Sequence, residues 1–197
     1  MQKRTGDAMS YLRKTEYKII PSKSFEIIHA CGGCGKKQSF INTNRFRVNA
    51  NGNKLDIWLI YQCKKCKHTL NIPIFERIDK AKTDSNEYNL FLENNALLAQ
   101  KYGTDSAFLR AKHLEIDINS TELEIYDADN NMITTQKPKF NAEELIVVYN
   151  KSGIKLRDEK IVSMIFDISR SQAKKMIINE ELAVTHQNQK FEIKYMV

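Results

Sequence analysis

Two Cys-x-x-Cys pairs constrain the fold of this chain more than any other feature of its sequence. They hold its only four cysteines, Cys31, Cys34, Cys63 and Cys66, and 28 residues separate the pairs. Four thiolates in two pairs are the ligand set of a tetrahedral structural zinc site. Two disulfides would need an oxidising compartment, and a redox Cys-x-x-Cys motif would account for only one pair. The sequence therefore predicts one structural Zn²⁺, with no open position for catalysis.

The residues between the two cysteine pairs predict a β-hairpin. Apolar and polar side chains alternate on both sides of Asn51-Gly52, a dipeptide typical of tight hairpin turns. Before this turn, Phe46 falls on one face of a strand, and Arg45 and Arg47 fall on the other. A hairpin that joins two Cys-x-x-Cys turns makes a zinc ribbon.

We predict that this ribbon occupies residues 23–77 and depends on its metal for folding. A strand pair and two turns bury little apolar surface, and structural zinc contributes on the order of 10 kcal/mol in comparable peptides. His68 follows Cys66 by two residues and is an alternative to a thiolate as ligand. Since four sulfurs already complete the site, we expect His68 to lie near the metal or on the surface without binding it.

Helices and further strands are predicted after the ribbon. Asp84 or Ser85 can cap a helix that ends at Gly103, and a shorter helix follows through His113. Apolar residues then alternate as in strands in two segments, residues 114–126 and 144–150.

The C-terminal region predicts two short helices, of which the second has a basic face. Asp158 can cap the first helix and Ser169 the second. On the second helix, Arg170, Lys174 and Lys175 share the outward face at helical spacing. Cations, backbone N–H groups and the helix dipole would together favour a phosphate there. A solvated helix face is the plain alternative.

The charge of the chain is unevenly distributed. The net charge of +7 is made up of +10 in residues 1–77, −6 in residues 78–150 and +3 in residues 151–197. Basic patches at both ends favour a polyanionic partner, with nucleic acid as the first candidate. Ordinary solvated lysines would give the same composition.

Several classes of protein do not fit the sequence. No apolar run reaches the roughly 18 residues of a membrane span, and the basic N-terminus lacks the apolar core of a secretory signal. We therefore expect a cytoplasmic protein with reduced cysteines. The sequence has no Ser/His/Asp order, no Gly-rich phosphate loop and no informative carboxylate pair. This predicts a protein that is not an enzyme, with no evident small-molecule substrate.

The C-terminal helices resemble the S-four RNA-binding domain, which is named for a ribosomal small-subunit protein. The resemblance rests on Leu156, Asp158, Ile161, Ile165, Ser169-Arg170-Ser171-Gln172-Ala173 and Ile177. It implies that Arg170, Lys174 and Lys175 face RNA. The chain departs from the pattern at Glu180-Glu181, where the family usually has a turn glycine, and at Thr185-His186-Gln187, which replaces Val-Asn-Gly.

Taken whole, the chain resembles a bacterial family known only as domain-of-unknown-function family 1062. The resemblance is carried by residues 9–14 (MSYLRK), the first Cys-x-x-Cys-Gly, residues 44–63 (NRFRVNANGNKLDIWLIYQC) and residues 169–172 (SRSQ). It implies no activity, because none is assigned to the family.

The predicted fold class is α+β, with an N-terminal all-β zinc ribbon, a helical and β middle region, and a small C-terminal two-helix S-four-like element. The predicted divisions are residues 1–22 (lead segment), 23–77 (ribbon), 78–150 (middle region) and 151–197 (S-four-like element).

The first functional hypothesis is a non-catalytic zinc-binding protein that binds structured RNA or the ribosome through basic surfaces. The alternatives are a DNA-binding or transcription-associated ribbon that uses Arg45 and Arg47, and a protein-interaction module. The sequence does not give the nucleic acid, the biological process or the oligomeric state.

Overall fold

The computed structural model describes residues 13–133 and 144–196, which form two compact units. The central unit comprises residues 21–123 and 152–154. The flanking unit comprises the described residues on either side, up to residue 20, from 124 to 151 and from 155 onward. Met9 to Leu12, which carry part of the family resemblance, lie outside the described residues.

The described residues form more strand than helix. The strands are β1 (Arg13–Pro21), β2 (Ile27–Cys31), β3 (Lys36–Asn51), β4 (Lys54–Cys63), β5 (Thr69–Asp79), β6 (Glu115–Ile116), β7 (Leu123–Asp127), β8 (Glu144–Asn150), β9 (Leu182–Gln187) and β10 (Lys190–Tyr195). The helices are α1 (Ser85–Leu92), α2 (Ala96–Gly103), α3 (Ser106–Ala111), α4 (Asp158–Phe166) and α5 (Arg170–Ile178), with 3₁₀ turns at Lys80–Lys82 and Ile118–Ser120. No helix in these described ranges is long and apolar enough to cross a membrane.

The central unit is built on an antiparallel sheet with the strand order β5-β4-β3-β2-β6. The predicted hairpin is confirmed: β3 and β4 pair up to Asn51 and Lys54, and Gly52 takes the left-handed conformation with φ +58°. Along β4 every second side chain is buried, which confirms the predicted alternation, and these core residues are Leu55, Ile57, Leu59 and Tyr61.

Helices cover the core face of this sheet. The ring of Phe46 on β3 packs edge-on against Phe91 of α1, with centroids 4.9 Å apart. The Asn42 amide on β3 donates a hydrogen bond to the carbonyl of Ala99 in α2, at 2.9 Å. The strands between the cysteine pairs therefore share one hydrophobic core with the helices that follow them.

The helix predicted to run as far as Gly103 is two helices, α1 and α2. The two helices are separated at Asn94, which has φ +54°, and the Asn95 side chain caps α2 by accepting from the backbone N–H of Leu98. The Asn94 side chain also accepts a hydrogen bond from the backbone N–H of Phe46, at 2.6 Å. Asparagine tolerates the left-handed conformation of residue 94 and is a favoured helix cap at residue 95. The break between the helices therefore lets the two side chains accept hydrogen bonds from the backbone N–H groups of Phe46 and Leu98.

The flanking unit contains the second sheet, with the strand order β7-β1-β8-β10-β9. Its centre is a parallel pair, β1 with β8, in which Arg13 lies opposite Glu144 and Ile19 opposite Asn150. The strand predicted at residues 144–150 is confirmed as β8. The C-terminal strands β9 and β10 form an antiparallel hairpin, and β10 also pairs with β8.

Helices α4 and α5 belong to this same unit. The predicted cap of α5 is confirmed, because the Ser169 hydroxyl accepts a hydrogen bond from the backbone N–H of Gln172 at 3.1 Å. Phe166 at the end of α4 packs edge-on against Tyr195 of β10, with ring centroids 5.8 Å apart.

The predicted fold class is wrong in both of its terminal parts. Residues 23–77 are not a self-contained all-β ribbon, because their sheet gains β6 at one edge and shares its core with the helices that follow. The C-terminal helices are not a separate small two-helix element, because the chain continues into β9 and β10, which join β1 and β8 in one sheet. The observed architecture is two mixed units, each organised around a five-stranded sheet of the described residues.

Candidate metal centre

The two cysteine turns lie at the same end of the central sheet. The first turn connects β2 to β3, and the second connects β4 to β5. The register places Phe40 of β3 opposite Cys63 of β4, and the backbone N–H of Lys64 donates to the Ser39 carbonyl at 2.9 Å. Strand pairing thus brings the second turn beside the first.

The two turns have the same backbone geometry. In the first, the N–H of Gly35 donates to the Cys31 carbonyl at 2.8 Å, and Gly35 has φ +67°. In the second, the N–H of Lys67 donates to the Cys63 carbonyl at 3.0 Å, and Lys67 has φ +63°. A left-handed residue four positions after the first cysteine closes each turn, and glycine meets that need with less strain than lysine.

The four sulfur atoms all lie within 4.8 Å of one another. Two of the contacts cross between the turns: Cys31 Sγ is 3.4 Å from Cys66 Sγ, and Cys34 Sγ is 3.9 Å from Cys63 Sγ. Four sulfurs at about 2.3 Å from a tetrahedral ion would be about 3.8 Å apart, whereas a disulfide joins sulfurs at about 2.05 Å. The spacing fits four ligands around one ion.

The site is buried on one side and accessible on the other. Cys31 and Cys63 are buried, Cys34 is partly exposed and Cys66 is exposed. A Cβ on Gly33 would lie 3.0 Å from Cys66 Sγ, so the glycine leaves room for that sulfur. The absence of a side chain at position 33 therefore helps to bring the exposed cysteine into the group.

Burial and hydrogen bonding shift the thiol pKa values in different directions. Burial favours the neutral thiol of Cys63, but hydrogen bonds from the backbone of Cys66 and Lys65 stabilise the thiolate, and its pKa falls to about 7. A hydrogen bond with Cys66, together with burial, raises the pKa of Cys34 to about 12. Burial also raises the pKa of Cys31. Of these three thiols, Cys63 ionises most readily.

His68 lies against the first turn but outside the four-sulfur group. A Cβ on Gly32 would be 3.4 Å from His68 Nε2, and the histidine is exposed. The group of candidate ligands among the described residues contains the cysteines without His68. This placement agrees with the expectation that the imidazole is a neighbour of the site.

Five exposed lysines surround the cysteine turns, namely Lys36, Lys37, Lys64, Lys65 and Lys67. Lys37 pairs with Glu115 at 3.0 Å and Lys64 with Glu26 at 3.1 Å. A divalent ion with four thiolates has a net charge of −2, which nearby cations offset. The total charge does not show this concentration of lysines, whereas their positions beside the cysteines in the sequence are a direct signal of it.

A protein-family model matches most of the chain. The family model matches residues 48–188, which include the second cysteine pair and begin after the first. The chain belongs to this family. Its description is "Protein of unknown function (DUF1062)". Membership in DUF1062 confirms the resemblance noted in the sequence and assigns no activity. Neither a curated protein nor a solved structure matches the chain.

The predicted nucleic-acid-binding residues lie on exposed surfaces of both units. Arg45 and Arg47 are exposed on β3 in the central unit. Arg170, Lys174 and Lys175 are exposed on α5 in the flanking unit. Exposure leaves them accessible to a partner, and their role stays a prediction.

Proposed function

We propose that this DUF1062 protein is a non-catalytic zinc-binding protein in which the metal holds one end of the central sheet. The proposal rests on the four sulfurs, which converge from two turns with the spacing of a tetrahedral site. Soft thiolate ligands in this geometry favour zinc or iron–sulfur chemistry over hard cations. Four protein ligands leave no open position for substrate or water, which is typical of structural zinc.

Metal analysis of the purified protein tests this proposal. We expect one zinc per chain, because one group of four sulfurs provides one tetrahedral site. A chelator that removes the zinc should lower the thermal midpoint, since metal binding is coupled to folding. Stoichiometric iron, or a metal-free protein with unchanged stability, would contradict the proposal.

A second candidate function, RNA binding through the basic surface of the flanking unit, is favoured by a cluster of cations on α4 and α5. Arg170, Lys174 and Lys175 form no ion pair with any described residue, and the nearby helix residue Lys160 adds a further charge. Burial and the charge of Arg170 together lower the pKa of Lys160. Arg170 lies close enough to Lys160 to repel it, and this positive charge, together with the exposed lysines of α5, favours a polyanion as partner. We infer a cytoplasmic protein that binds folded RNA or the ribosome.

Substitution of these helix cations tests the RNA-binding proposal. Replacing Arg170, Lys174 and Lys175 with Ala should weaken RNA binding and flatten its salt dependence by roughly one log–log unit for each lost phosphate contact. Filter binding at several salt concentrations measures both effects. The control is Ser171→Ala with Gln172→Ala, which changes exposed neutral side chains of the same helix.

The competing partners predict other results in the same assay. Preference for duplex DNA over folded RNA, lost on changing Arg45 and Arg47 alone, would favour a DNA-binding protein. Indifference of binding to both sets of cations would favour a protein-interaction module.

A further inference from the structure

The face of the central sheet opposite its helices carries an aromatic ring among arginines. The register of β3 with β4 places Arg47 opposite Trp58 and Arg45 opposite Ile60. These four side chains alternate with core residues such as Leu59, so they share the outer face. Both arginines are exposed, and Trp58 is partly exposed.

Arg47 and Trp58 lie within cation–π distance of each other. The guanidinium carbon of Arg47 lies 5.8 Å from the centroid of the Trp58 ring, which is within cation–π range. Neither Arg45 nor Arg47 forms an ion pair within the described ranges 13–133 and 144–196. This part of the face therefore combines an aromatic ring with two uncompensated positive charges.

Asp56 is the carboxylate on the same face of β4, and it forms no salt bridge with Arg45 or Arg47. Asp56 stands two residues before Trp58, and its Oδ1 accepts a hydrogen bond from the backbone N–H of Arg77 at 2.8 Å. On the other side of Trp58, the register places the uncharged Pro73 of β5. Because two arginines stand against this one carboxylate, the surface around the ring has a net positive charge and favours an anionic ligand over a cationic one.

We propose that Arg45, Arg47 and Trp58 form a binding surface for unpaired nucleotides of RNA, in which the indole stacks on a base and the arginines contact phosphates. Such surfaces bind single strands because each unpaired base has an exposed π-face, whereas a duplex buries its bases against one another. Arg47 can contribute by stacking as well as by charge, since its guanidinium is planar. The inference rests on the proposed RNA binding and adds a second surface, in the central unit, that selects unpaired segments.

Tryptophan fluorescence tests this inference at one position. Trp58 is the only tryptophan of the chain, so its emission reports on this surface alone. Titrating the zinc-loaded full chain with a single-stranded RNA of about ten nucleotides, within the site sizes of single-strand-binding surfaces, should quench the emission in a saturable way. The same RNA annealed to its complement should leave the emission nearly unchanged. Equal quenching by the duplex would overturn the inference.

Substitutions then measure the contribution of stacking. Trp58→Leu should weaken single-strand binding roughly 5- to 150-fold, the range expected for one stacked base. Trp58→Phe retains an aromatic ring and should restore part of that loss. Since these variants lack the fluorophore, labelled RNA and anisotropy are used, and circular dichroism checks the fold. Arg47→Ala should weaken binding and also reduce its salt dependence, whereas Arg77→Ala serves as the exposed-arginine control of the neighbouring strand.

The outcomes separate this inference from the broader proposal of RNA binding. If the wild-type chain binds no RNA in filter assays, both fall. If it binds RNA while Trp58 emission stays constant and Trp58→Leu binds normally, RNA binding stands and the surface on the central sheet is rejected. In that case the contact of Arg47 with Trp58 would be local packing of the sheet surface.

Discussion

Cys63→Ser is expected to abolish stoichiometric zinc binding and to cause a large loss of stability in the central unit. Cys63 is buried at the end of β4, and a serine hydroxyl is a poor substitute for a thiolate ligand. Structural zinc contributes on the order of 10 kcal/mol in small metal-binding peptides, which is comparable to the whole stability of many domains. We expect the thermal midpoint to fall by at least about 10 °C, as measured by differential scanning calorimetry.

The matched control is His68→Ala. His68 lies beside the first turn but outside the group of four sulfurs, so its loss should leave one zinc per chain and a nearly unchanged midpoint. If His68→Ala releases the metal while Cys63→Ser retains it, the assignment of ligands is wrong.

Hydrogen exchange should show where the metal acts. The predicted ribbon would have unfolded completely without zinc, but the actual sheet shares a core with α1 and α2 through contacts such as Phe46 with Phe91. In the zinc-free protein we therefore expect the amides of Gly35 and Lys67, which close the two turns, to lose protection before those of Phe46 and its neighbours. Simultaneous loss along the whole of β3 would mean that the core depends on the metal throughout.

The turns and helix starts of this fold could be predicted from the sequence, because each depends on residues that are close together in the chain. Asn51-Gly52 predicts a turn because glycine adopts positive φ at little cost, and Gly52 has φ +58°. Asp84 and Ser169 predict helix starts because their side chains accept from backbone N–H groups three residues on, as both do. The four cysteines were identified for the same reason: ligand spacing within each turn is a local property.

The missed features depend on partners that are distant in the chain. β1 pairs with β8, so that Arg13 lies opposite Glu144, and no pattern within either strand specifies the other. The separate C-terminal element was predicted because α4 and α5 are recognisable alone, whereas the pairing of β10 with β8, and of β8 with β1, is not specified within any one strand. The β9–β10 hairpin did have a local signal, since Asn188 in its turn has φ +56°, as asparagine often does in tight turns.

The surface around the metal was missed for a different reason. Charge summed over long segments hides the concentration of lysines beside both cysteine turns.

The pairing of Arg47 with Trp58 was also missed. The alternation of side chains within each strand predicts an outward position for each of the two residues, but it does not predict that they lie opposite each other. The register of β3 with β4 continues unbroken from the pair Asn51–Lys54 at the turn to the pair Arg45–Ile60, and this register puts the two side chains opposite each other.

Gly103→Ala is expected to destabilise the central unit although alanine is the better helix former. Gly103 ends α2, and its carbonyl accepts a hydrogen bond from the backbone N–H of Phe25 at 2.8 Å. A Cβ at this position would lie 2.3 Å from Ser24 Oγ and 2.6 Å from both Ser24 Cβ and Asn42 Nδ2. Overpacking of this kind costs roughly 1–3 kcal/mol, which exceeds the gain in helix propensity of at most about 1 kcal/mol. Urea denaturation measures the change in the free energy of unfolding.

Two further variants isolate the steric cause of this effect. Gly52→Ala adds a methyl group where no atom lies within 4 Å, so it should cost only the roughly 1–2 kcal/mol of a left-handed alanine. Ser24→Gly removes the hydroxyl and the Cβ that the added methyl group at position 103 would meet, together with the 2.8 Å hydrogen bond from Asn42. Two of the three close contacts are then absent, and only the contact with Asn42 Nδ2 remains. The double variant should therefore be more stable than the sum of the two single effects predicts, by at least about 1 kcal/mol. Additive effects in this cycle would mean that the close approach of α2 to Ser24 does not limit the residue at position 103.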